Sequence, residues 1–145
     1  MAQEPQSYAN HTRMVPLYHY LGSLLLLVLL VWTGWRLVKA PSADSAMALV
    51  LLGVVILGYF YARLFALAAQ DRVIRLEERL RMERLFDADL KARIADFTTE
   101  QLIGLRFASD EELPGLARRV LDEGIADRKT IKQAVKNWRA DHQRV

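Results

Sequence analysis

The sequence predicts an all-α membrane protein. Its parts are an antiparallel two-helix transmembrane hairpin, a second span that continues into a long cytoplasmic helix, and a small three-helix tail. Three observations carry this. First, two apolar runs are nearly free of charge: Arg36 is the only charged residue from Val15 to Val38, and none lies between Ser45 and Ala62. Second, aromatic residues with a polar edge gather at the ends of those runs, as they do at membrane interfaces. Third, the charges crowd into the second half, where apolar residues recur at helical spacing.

Residues 1–16 form a polar N-terminal segment, and Pro16 suits the first turn of a helix, where its missing N–H has no partner to lose. The hairpin occupies residues 17–67, with spans at about 17–38 and 46–67. At 1.5 Å per residue, ~20 residues cross a hydrocarbon layer of ~30 Å. The first span centres on LGSLLLLVLLV, Leu21 to Val31, and no soluble part of the chain is large enough to surround it. A cleaved signal peptide is disfavoured, because Trp32, Trp35 and Arg36 follow the apolar core where a small-residue cleavage site belongs. Tyr18, Tyr20, Trp32 and Trp35 ring the first span. Tyr59 and Tyr61 mark the far interface of the second, with Arg63 reaching into the headgroups.

The short turn from Arg36 to Ser45 makes the spans antiparallel neighbours. It carries Arg36 and Lys39, whereas Arg63, Arg72, Arg75, Arg79, Arg81 and Arg84 follow the second span. The positive-inside rule then places both termini in the cytoplasm. Gly58, Ala62 and Ala66 recur every four residues, a strip on which another helix can pack closely. Gly22 and Ser23 of the first span lie opposite, so packing within the hairpin is expected ahead of a homodimer seam.

With no Gly or Pro between Arg63 and Gly104, the second span is expected to run on as one amphipathic helix over residues 68–97. The i,i+4 pairs Asp71–Arg75, Glu77–Arg81, Asp87–Lys91 and Asp89–Arg93 would support it. Val73, Leu76 and Leu80 begin a coiled-coil pattern, but its next slots are Glu83 and Asp87. The face then regroups as Phe86, Leu90, Ile94 and Phe97, which needs a covering partner: the tail or another protein. In the tail, residues 98–145, Thr98 or Thr99 caps one helix. Ser109 and Glu112 form a capping box for the next, which Gly124 closes. Asp127 caps RKTIKQAVKNW. A core of Phe107, Leu116, Val120, Leu121, Ile131 and Trp138 is expected to dock on the long helix.

Function classes narrow by chemistry. The chain has no cysteine, which removes disulfides, thiolate metal sites and cysteine nucleophiles. From Asp96 to Val145 nine Lys/Arg balance nine Asp/Glu, a poor footprint for nucleic acid. Asp110, Glu111 and Glu112 suit a first helical turn better than a catalytic cluster. No phosphate-cradling glycine loop, HExxH or EF-hand loop is present. His11 and His19 are weak candidates for a cofactor or metal, with no further ligand patterned nearby. No cofactor and no catalytic residue are predicted.

The stretches YANHTRMVPLYHY and LRFASDEELPGLARRVL…IKQAVKNWRADHQRV resemble an uncharacterised family of short bacterial two-span membrane proteins, over nearly the whole chain. The resemblance implies a bacterial source and an inner-membrane location and transfers no activity. The expected role is a non-enzymatic accessory or scaffolding subunit of a larger membrane complex. Its partners would be the lipid bilayer and another membrane protein or further copies of itself. The alternatives are a membrane-tethered regulator whose tail binds a ligand or nucleic acid, and a metal or haem site at His11 and His19.

Overall fold

A computed structural model describes residues 6–10 and 14–141. The chain is all-helical, with no strand among the described residues beyond an isolated bridge between Ala108 and Trp138. The described residues fall into two compact units. One lies within 13–66, the other within 67–145 and joined by the N-terminal residues up to 10.

The first unit begins with helix α1, Leu17–Lys39. Its opening turns, Leu17–Gly22, are wound as a π-helix, and Ser23–Lys39 is α-helical. No residue of α1 is buried; Leu24, Leu25, Leu27 and Val28 each expose more than half of their surface. The one mid-helix hydroxyl is satisfied locally, Thr33 Oγ1 donating to the Leu29 carbonyl at 2.7 Å. Helix α2, Ala43–Leu85, starts a few residues before the expected Ala46. A reciprocal serine cap sets the start. Ser45 N donates to Ser42 Oγ at 3.1 Å, and Ser42 N donates to Ser45 Oγ at 2.9 Å. Leu51, Val54, Val55, Leu57 and Phe60 are exposed along α2.

The expected unbroken helix to residue 97 is corrected: α2 stops at Leu85. Asp87 takes an extended conformation and accepts from Leu90 N at 2.9 Å, starting the short helix α3, Ala88–Ala92. An aspartate that caps a new helix competes with one that supports the old. A 3-10 turn, Ile94–Asp96, follows. Helix α4, Thr99–Leu105, is capped by Thr98 in a complete capping box with Gln101. Helix α5, Leu113–Asp122, ends at Gly124, whose φ of 64° closes the helix as a left-handed C-cap does. Helix α6, Arg128–Ala134, is capped by Asp127, which accepts from Thr130 N at 2.8 Å.

Two further expectations are corrected. The Ser109–Glu112 box forms by half: Ser109 Oγ accepts from Glu112 N at 3.3 Å, and α5 begins only at Leu113. The Glu112 carboxylate is drawn away to accept from Lys136 N and Asn137 N at 3.0 and 2.8 Å. Helix α6 stops four residues before Trp138, and the chain becomes extended to pair with the α4–α5 connection: Ser109 N donates to the Asn137 carbonyl, Arg139 N to that of Phe107.

The core of this unit holds Met82 from α2, Phe86 just past its end, Leu90, Ile94, Phe97, Leu102, Leu105, Phe107, Val120 and Ile131, with Leu121 and Trp138 partly buried against it. Gly104 brings α4 onto α6, since a Cβ there would sit 2.8 Å from the Ile131 Cβ.

Candidate functional site

In the first unit, polar contacts concentrate on two tyrosines. Tyr18 and Tyr59 stack with ring centroids 4.2 Å apart and planes 6° from parallel. Each hydroxyl donates to the other residue's backbone carbonyl, Tyr18 Oη at 2.7 Å from the Tyr59 oxygen. Ser23 Oγ lies 3.3 Å from Tyr59 Oη. Gly22 is a glycine for this reason: a Cβ would come 3.1 Å from the Tyr59 hydroxyl.

The small-residue strip does something other than expected. A Cβ on Gly58 would meet nothing within 4 Å, and Ala62 is exposed while Ala66 is half-buried. The contact to Gly22 and Ser23 is made by Tyr59, one position on. Gly58 thus meets nothing in the chain, and Gly22 and Ser23 meet an aromatic clasp in its place. Tyr20, Trp32, Trp35 and Tyr61 are exposed, with the Trp32 and Trp35 ring centroids 5.3 Å apart and their planes tilted by 34°. Arg63 is half-buried. His19 turns its Nδ1 back to Val15, 3.0 Å from the Val15 N–H that donates to it. His11 lies outside the described residues, so the histidine pair is not described as a whole. Among the described residues no group of three His, Asp or Glu side chains could hold a metal.

The second unit buries charge. Arg81, 3 % exposed, is the hub. Its Nη1 pairs with Glu78 at 3.1 Å, its Nη2 with Asp110 at 2.6 Å, and Nη2 also donates to the Ala108 carbonyl at 2.7 Å. Arg139 reaches the other Glu78 oxygen at 3.4 Å. Burial pushes the Glu78 carboxyl above its usual range, with Arg81 pulling the other way. The Arg81 hydrogen bond holds the Asp110 carboxyl below its own. Arg106 Nε sits 3.4 Å from Asp141, and its guanidinium lies 4.5 Å from the Phe107 ring centroid, with Lys132 near the same ring at 5.1 Å. Gln6 joins Asp141 by accepting from its backbone N at 2.8 Å. Glu78, Arg81, Arg106, Arg139 and Asp141 line a groove with Ile74, Leu80 and Arg84.

None of the four expected i,i+4 ion pairs forms. Arg81 takes Glu78 and Asp110 instead of Glu77. Asp87 and Asp89 both take Arg118, at 3.0 and 2.8 Å, and Arg93 takes Asp122. Apart from Arg81–Glu78, which stays within α2, these pairs bind separate elements together. The arginine hub is a feature that sequence reading missed. Its only trace was an arginine inside the apolar run LRF and another one position before Met82.

Of the two covers expected for the Phe86–Phe97 face, the tail closes over it, so its reading as a site for a separate partner is corrected. Phe86, Leu90, Ile94 and Phe97 are between 1 and 6 % exposed and sit in the chain's own core. Among the described residues of this unit, the large apolar side chains left exposed are Val73, Leu76 and Leu80, at 53, 61 and 59 %. They stand three and four residues apart on α2, while Ile74, Glu78, Arg81 and Met82 on its other side are buried.

No curated protein and no solved structure matches the chain. One family model does, over residues 1–145, and the chain with its tyrosine clasp and arginine hub belongs to that family, described as a family of unknown function (DUF6526).

Proposed function

We propose that the chain is a small integral protein of a bacterial inner membrane and a non-enzymatic accessory or scaffolding subunit of a larger membrane complex. In this reading α1 and the first part of α2 form an antiparallel hairpin in the bilayer, and both termini are cytoplasmic. Two helices long and apolar enough to span, Leu17–Lys39 and Ala43–Leu85, support insertion. Their outward Leu, Val and Phe side chains would be costly in water and cost nothing in hydrocarbon. The Tyr18–Tyr59 clasp supports the hairpin, because it joins residues 41 apart in sequence.

The observation that carries the subunit role is the exposed row Val73, Leu76 and Leu80. It lies beyond the expected span and on the side of α2 that its own unit leaves uncovered. An apolar row of this kind on a helix is the anchor pattern of helix-in-groove recognition. The test is a mild-detergent pull-down of the tagged full chain, with mass spectrometry, beside the Leu76→Glu/Leu80→Glu variant. The expected result is a stoichiometric membrane protein that is lost from the variant. A clean homo-oligomer, or a partner retained equally by both forms, would overturn the role.

A further inference from the structure

We propose that Arg72, Arg75 and Arg79 form a binding site for a phosphate group. The three residues line one shallow groove on α2 together with Val73 and Leu76. A helix advances 1.5 Å and turns about 100° per residue. The three guanidinium stems therefore leave within about 60° of one another and over about 10 Å of axis.

What marks them is that no carboxylate pairs with them, although Asp71 and Glu83 stand one turn from Arg75 and Arg79 on the same helix. In the same unit Arg81, Arg93, Arg106, Arg118, Arg119, Arg128 and Arg139 each have a carboxylate within 4 Å. Among the described residues, Arg72, Arg75 and Arg79 have none. Asp71 is the nearest acid in sequence and stays unpaired with Arg75. Arg84 is also without a carboxylate partner but projects from the far side of the helix. Arg79 adds a second sign: its Nε is shielded from solvent with no hydrogen-bond partner. Three arginines that line one groove without a carboxylate partner leave room for an anion from outside the chain.

Arginine presents a planar fork of donors that matches phosphate oxygens in pairs, so phosphate suits the site better than a halide or a single carboxylate. The phosphate can come from a lipid headgroup or from a soluble phosphate compound. The lipid source rests on the membrane reading above, which puts Arg72 and Arg75 about 7–12 Å past Leu67, at headgroup depth. The soluble source does not.

The experiment uses the full chain in neutral detergent. Native mass spectrometry reads retained phosphatidylglycerol against phosphatidylcholine, and calorimetric titration reads pyrophosphate. The variants are Arg72→Gln/Arg75→Gln/Arg79→Gln, the matching triple Lys form, and a charge-matched control, Arg93→Gln/Arg119→Gln/Arg128→Gln. The site predicts that the Gln triple weakens phosphate binding by roughly tenfold or more, that the Lys triple falls between, and that the control stays within about twofold. Loss confined to phosphatidylglycerol assigns the lipid source; loss of pyrophosphate binding assigns the soluble one. The Lys triple keeps charge and helix propensity, so it reports on the site even where the Gln triple folds poorly. Binding unchanged in both triples, or an equal loss in the control, would overturn the site. Release of the protein from membranes by alkaline carbonate would sink the membrane reading alone and leave the pyrophosphate arm standing.

Discussion

The two units use the same apolar residues in opposite ways. Between residues 14 and 66, most Leu, Val and Phe side chains point outward, Leu52 being buried, and the polar contacts turn inward, to Tyr18, Tyr59, Ser23 and Ser45. Between residues 67 and 141, Leu, Ile and Phe close over one another, and the charges either meet in pairs or face out. Hydrophobic burial drives only the second arrangement. In the membrane setting proposed for the first, association would come from close packing and hydrogen bonds, which is what a stacked tyrosine pair with two reciprocal bonds supplies. Each unit is thus consistent with a different solvent, and each can be broken by a substitution that leaves the other untouched.

The largest effect is expected at the arginine hub. Arg81→Met removes a guanidinium from Glu78, Asp110 and the Ala108 carbonyl while keeping much of the stem volume. Breaking one side of a buried pair costs on the order of 3–5 kcal/mol, because the remaining charge is left without compensation. Stability of this size is a large part of what a domain of this length has. Thermal unfolding of the full chain should show loss of the second unit, read by protease sensitivity after Leu67, with the apolar helices still protected. Adding Glu78→Leu should restore part of the loss. Equal protection in Arg81→Met and wild type would show that the core, not the hub, holds this unit.

A smaller effect sharpens the comparison from the other side. Leu27 and Val54 are exposed on α1 and α2. Arginine at such a place costs about 2.5–3.5 kcal/mol at the centre of a bilayer-inserted helix and almost nothing in water. Leu27→Arg/Val54→Arg should therefore lower the membrane-integrated fraction, measured by alkaline extraction, without changing the protease pattern of the second unit. Full integration of the double variant would place these faces away from lipid.

How far the sequence reached follows the same division. The apolar helices were legible because twenty-odd uncharged residues leave few other arrangements, and the caps at Thr98, Asp127 and Gly124 were legible because each depends on one residue and its near neighbours. The failures are all long-range. Asp87 reads equally well as a helix-stabilising acid or as a cap, and the choice is decided by Arg118, thirty-one residues on. Phe86, Leu90, Ile94 and Phe97 formed a visible face, but which partner covers it is a matter of tertiary docking. Glu112 left its own helix for Lys136 and Asn137. Gly58 had the spacing of a packing strip, yet a tyrosine beside it could do more, because it adds hydrogen bonds to area. The arginine hub needed three segments at once, and no local pattern encodes that.

The smallest effect is a pH dependence inside the second unit. Glu78 has a folded pKa raised above its unfolded value by burial, so the folded state holds its proton more tightly than the unfolded chain does. Its contribution therefore grows more favourable as pH falls from neutrality through that raised value. Asp110 runs opposite: Arg81 depresses its folded pKa, so its contribution is present above the ordinary carboxylate range and fades as pH drops below it. The two together predict a stability that rises slightly on mild acidification and then falls. The size is small because Arg81 and Arg139 already offset part of the burial at Glu78. In Glu78→Gln the rise should vanish while the fall below the ordinary Asp range persists; in Asp110→Asn the reverse should hold. Thermal midpoints of the three forms from neutral pH downward separate the groups. A wild-type curve that only falls from neutrality would show that Glu78 is ionised at no cost, and that the hub pairs it as fully as water would.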